Sequence, residues 1–75
     1  MDDLKRIETA AETIVDAQAV IDAATVRRDE AIAAARREGY PWARIATAAR
    51  LSRQGARDAA MRANGGVVPE PRQRG

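Results

Sequence analysis

The chain has no cysteine, no histidine and no phenylalanine, and only one tryptophan and one tyrosine. Without cysteine there are no disulfides and no thiolate metal sites to hold a small fold together. Without histidine the commonest metal ligand and general base is missing too. No apolar run approaches the ~18 residues that a membrane span needs. The opening Met1-Asp-Asp-Leu-Lys-Arg6 carries no hydrophobic signal core, which predicts a cytoplasmic protein. Asp2, Asp3, Glu8, Glu12 and Asp16 are acids without the His, Cys or Gly-rich context of a catalytic or metal site. The expectation is therefore a chain that is not an enzyme and uses no cofactor, metal or small-molecule ligand.

What is present is alanine and arginine. The 45% hydrophobic content overstates the core, because 18 of those residues are alanine and only 16 are larger. A chain of 75 residues holds one small domain plus an extension, and such domains bury a limited share of their surface. Packing or oligomerisation must supply the stability. The net charge of +2 conceals a division: residues 1–30 hold eight acids and four bases, residues 31–75 three acids and nine bases. Twelve of the 13 basic residues are arginine, whose planar fork suits guanine edges and phosphates.

From Asp3 to Glu38 there is no glycine or proline, and alanine and charged residues dominate, which predicts one long helix. Leu4, Ile7, Ala11, Ile14, Val15, Gln18 and Ile21 share one face of it, the spacing of a coiled-coil seam with one polar interruption. Beyond Ile21 the seam erodes, with Asp22, Asp29 and Arg36 on the same face and Ile32 near its edge. Gly39 suits the left-handed end of the helix and Pro41 the first turn of the next. A second helix is predicted over Pro41 to Ala49, with Trp42, Ile45, Ala46 and Ala49 on one face, and a third over Arg53 to Ala63. Leu51-Ser52 makes the turn between them, Asn64-Gly65-Gly66 stops the third helix, and the remainder has the composition of a flexible tail.

The third helix divides sharply when phased at about 3.6 residues per turn. Arg53, Gln54, Arg57 and Asp58 fall to one side with Met61, whereas Gly55, Ala56, Ala59, Ala60 and Ala63 fall to the other. A helix meant for the major groove needs such a thin packed back and reaching front. Ser52 stands as its N-cap.

At these residues the chain resembles the small helix-turn-helix proteins of actinobacteria and their phages. The resemblance rests on Arg28-Asp29-Glu30, Gly39, Trp42-Ala43-Arg44-Ile45-Ala46 and Leu51-Ser52-Arg53-Gln54-Gly55. The same trihelical core is similar to the promoter-reading region of sigma factors. The resemblance covers about residues 28–63 and implies binding of double-stranded DNA by the third helix, in a cytoplasmic, nucleoid-associated regulator. Arg53, Gln54 and Arg57 are then the candidates for base contacts, since arginine pairs with guanine and glutamine with adenine. Arg44, Thr47, Arg50, Ser52 and Arg62 are candidates for phosphates, while Asp58 is expected to hold Arg57 or Arg62 in place. Ile32, Trp42, Ile45, Ala46, Leu51, Ala56 and Ala59 are expected to form the core.

Arg50 departs from the pattern, which usually has glycine there. A non-glycine residue at positive φ is uncommon and strained. Either the turn is built differently, or Arg50 sets a basic side chain beside the phosphates.

The expected architecture is all-α in three parts. Residues 1–27 are the seam half of the long helix, 28–63 the helix-turn-helix unit and 64–75 a flexible basic tail, whose Pro71-Arg-Gln-Arg-Gly75 end is either a minor-groove arm or a loose terminus. Exposed on a bare helix, Leu4, Ile7, Ile14, Val15, Val20, Ile21 and Val26 each forgo about 1.5–3 kcal/mol of burial. Pairing with a second copy covers them, and Gln18 could then set the register. The alternatives are a kink near Thr25-Val26 that folds the seam back, and a role for the seam in a protein-interaction module such as an antirepressor or sigma-binding adaptor.

Overall fold

A computed structural model describes residues 2–72. It is all-α: a long helix α1 (Asp3–Arg37), a short α2 (Trp42–Ala49) and α3 (Arg53–Ala63). The first helix runs without a break for 35 residues, so the seam does not fold back at Thr25-Val26, where nothing in the sequence interrupts the backbone ladder. The molecule extends 67 Å along its longest axis. Only the C-terminal third of α1 joins α2 and α3 in a compact trihelical unit. Every residue from Asp2 to Ala24 is exposed.

Helix ends follow from local chemistry. Asp2 caps α1 by accepting from the Leu4 N–H at 3.1 Å. At the other end Tyr40 N–H donates to the Ala35 carbonyl and Gly39 N–H to that of Arg36, with Gly39 at φ 95°. This is the paired closure that a left-handed residue makes possible. The same closure ends α2, where Leu51 N–H donates to Ala46 and Arg50 N–H to Thr47. Here the left-handed residue is Arg50, at φ 58° and ψ 41°. The turn is thus built in the ordinary way, with an arginine accepting the conformation. Pro41 is the N-cap of α2, one position before the predicted first turn. Ser52 caps α3, its Oγ accepting from Gly55 N–H at 2.9 Å.

The core is small. Ile32, Ala33, Ile45, Ala46, Ala56, Ala59 and Ala60 are buried, and only two of the seven exceed alanine in size. Alanines on the back of α3 let it approach α1 and α2 closely, and Ala56, Ala59 and Ala60 are 0% exposed. Trp42 and Leu51, expected in the core, are half-buried and pack against its edge.

One buried charge belongs to this unit. Asp29, 6% exposed, accepts from Arg28 at 3.0 and 3.2 Å and from Arg62 Nε at 3.2 Å. It ties α1 to the last turn of α3. A buried carboxylate that lacked such donors would be strongly unfavourable.

The described part of the tail is tied to α1. Asn64 accepts from Arg37 at 2.8 Å and donates to the Val67 carbonyl, and Arg72 N–H donates to the Arg37 carbonyl. Pro69 is buried. The remainder of the expected basic arm, residues 73–75, lies outside the described residues.

Candidate nucleic-acid interface

Helix α3 presents the residues singled out for base contacts on one exposed edge. Arg53, Gln54, Arg57 and Asp58 are all exposed, while Ala56, Ala59 and Ala60 on the opposite side are fully buried and Gly55 and Ala63 half-buried. Arg53 sits in the first turn, just beyond the Ser52 cap, and makes no ion pair among the described residues. Gln54 Nε2 donates to Asp58 Oδ1 at 2.8 Å, one turn further along. Asp58 therefore holds Gln54, not Arg57 or Arg62 as the sequence suggested. Gln54 and Arg62 both stand four residues from Asp58, but Arg62 is engaged by Asp29 and Arg57 lies against Trp42.

Arg57 lies against Trp42, its guanidinium carbon 5.9 Å from the ring centroid. Arg36, from α1, lies over the same ring at 4.9 Å and donates to the Tyr40 carbonyl at 3.1 Å. Trp42 thus brings an arginine of α1 and one of α3 to the edge of α2, a contact worth about 0.5–1 kcal/mol at exposed sites. The buried Arg36 Nε has no hydrogen-bond partner among the described residues. Sequence reasoning did not single out Arg36. Its place one turn beyond Ile32, on the core face of α1, was the available signal.

The phosphate candidates separate. Arg50 and Ser52 flank the turn that leads into α3, and Arg50 is exposed and makes no ion pair among the described residues. Thr47 gives its hydroxyl to the Ala43 carbonyl at 2.9 Å, within α2. Arg62 is engaged by Asp29, although its side chain stays 58% exposed. Arg44 lies over the Tyr40 ring at 5.1 Å, on the side of α2 that faces α1. It stands apart from the α3 edge, at the mouth of an apolar groove of about 360 Å³ between α1 and α2.

The seam residues remain uncovered. Leu4, Ile7, Ile14, Val15 and Ile21 are between 56% and 68% exposed, and Gln18 donates to Asp22 within the helix at 2.9 Å. No helix among the described residues is long and apolar enough to cross a membrane, and no group of three or more His, Cys, Asp or Glu residues there could hold a metal ion. The trihelical unit is consistent with a helix-turn-helix-like fold. Comparison with known protein families, with characterised proteins and with solved structures finds no match for this chain.

Proposed function

We propose that the chain is a sequence-specific double-stranded DNA-binding protein, a regulator of bacterial or phage type that works as a homodimer and reads the major groove with α3. One observation carries the reading. Ala56, Ala59 and Ala60 on the back of α3 are 0% exposed while Arg53, Gln54 and Arg57 are exposed on its front. That contrast lets a helix enter a groove about 12 Å wide without lifting the rest of the unit away. The bond from Gln54 to Asp58 supports it further, because a held amide loses less freedom when it meets a base edge. Arg50, beside the turn, supplies a phosphate anchor, and Arg62 a second one steadied by Asp29.

Selection from random duplex DNA tests this reading. The wild-type chain should enrich a motif, Arg53→Ala should lose preference at one base position by about 1–3 kcal/mol, and Arg50→Ala should weaken all sequences alike. A selection without enrichment would leave the second reading, a helical protein-interaction module. The bare apolar stripe from Leu4 to Ile21 favours that alternative.

A further inference from the structure

The seam does not end at Ile21. A heptad stripe winds slowly around a straight helix, and its spacing continues from positions 18 and 21 to Thr25, Arg28, Ile32 and Ala35. Three of these, Arg28, Ile32 and Ala35, line the groove between α1 and α2, whose other wall is Tyr40, Arg44, Ile45, Ala48 and Ala49. One seam path, apolar except at Gln18, Thr25 and Arg28, therefore starts at Leu4, runs along α1 and enters a groove of about 360 Å³.

We propose that this groove receives the N-terminal seam of a second copy of the chain, so that the two long helices pair antiparallel. The inference rests on the pairing part of the function proposed above and adds its direction and docking site. Charge selects the direction. Residues 2–22 carry six acids against Lys5 and Arg6. The groove is lined by Arg44 and by Arg28, which is bonded to Asp29 yet still reaches water, and Arg27 lies next to Arg28 in the chain. Antiparallel pairing, in the register below, brings Glu12 and Glu8 of one copy to the level of Arg27 and Arg28 of the other, and Asp2 and Asp3 to the level of Arg37 and Arg36. Parallel pairing sets one acidic half, with six acids against two bases over residues 2–22, beside another and leaves the groove empty.

Position sets the register. When Leu4 and Ile7 of one copy lie over Ala35 and Ile32 of the other, the two-fold axis passes close to Gln18 and Val20. Ile14 of each copy then meets Thr25 of its partner, and Gln18 meets Ile21. The only polar seam residue before Ile21 thus falls at the centre, where its mate lies nearby. A polar group there specifies register at some cost in stability.

A chain without cysteine takes a single label cleanly. In Lys5→Cys, at an exposed position off the seam, spin labels on two antiparallel copies should lie about 45 Å apart, against under about 20 Å for parallel ones. Ala48→Glu places a carboxylate in the groove from an exposed helix position. It should weaken the dimer at least ten-fold while the helix content of the dilute chain stays unchanged. A dimer with the short distance overturns the antiparallel docking and leaves the pairing itself standing. The long distance with a dimer indifferent to Ala48→Glu overturns the groove as the docking site. A monomer at every concentration overturns the inference together with the pairing, and leaves DNA binding by α3 to its own selection experiment.

Discussion

Arg50 occupies a conformation that glycine takes without penalty and other residues enter at a cost of about 1–2 kcal/mol. The turn after α2 keeps its closing hydrogen bonds despite that cost. Replacing Arg50 by glycine should therefore raise stability by about 0.5–1 kcal/mol in denaturant titration, even though glycine loses more backbone freedom on folding. The same variant should bind DNA less tightly and lower the salt slope by about one unit for the phosphate that Arg50 would otherwise meet. Stability and binding moving in opposite directions would identify Arg50 as an anchor held under strain. Asp58 gives a different signature at this scale. It positions Gln54 and would repel phosphates in the proposed complex, so Asp58→Ala should tighten binding to arbitrary duplex and blunt discrimination at the position assigned to Gln54. Equal losses on all sequences would count against the role given to the pair.

At the scale of elements, the trihelical unit is fastened by its caps and by one buried carboxylate. Ser52→Ala removes the acceptor for Gly55 N–H and should cost about 1 kcal/mol of stability. Asp29→Ala removes the acceptor shared by Arg28 and Arg62. It should cost about 2 kcal/mol, short of a fully buried pair because both arginines reach water. Thermal unfolding of the two variants checks both values, and a loss at Asp29 no larger than at a surface alanine would contradict the fastening role. The ends of these helices were legible in the sequence because their signals are local: Gly39, Ser52 and Asn64-Gly65-Gly66 each act within a few residues. The fastening was not legible. Asp29 finds Arg62 across 33 residues, and an acid on a helix face carries no local mark of that partner. Likewise the alanine back of α3 was evident from its phase. The half-exposed setting of Trp42 between Arg36 and Arg57 depended on how three helices meet.

At the scale of the whole molecule, a core of five alanines and two isoleucines supports a helix whose first 22 residues are entirely exposed. Such a core leaves little margin for a lone copy. Covering the seam should therefore couple stability to protein concentration. The melting temperature should rise with concentration in the wild-type chain, and Ile14→Lys should abolish the dependence without removing α3. A melting temperature constant over a hundred-fold range would exclude pairing as the cover. The charge division along the chain was plain from composition. The groove proposed to receive its acidic half was not, because it forms only where α2 leans on α1. The central claim, that α3 and its arginines engage duplex DNA, is tested most directly by the binding constant for a selected duplex measured against salt. The account predicts a linear fall in log K with log salt, about 0.9 for each phosphate contacted, made shallower by Arg50→Ala. Binding that ignores salt, or no duplex affinity even at low salt, would contradict it.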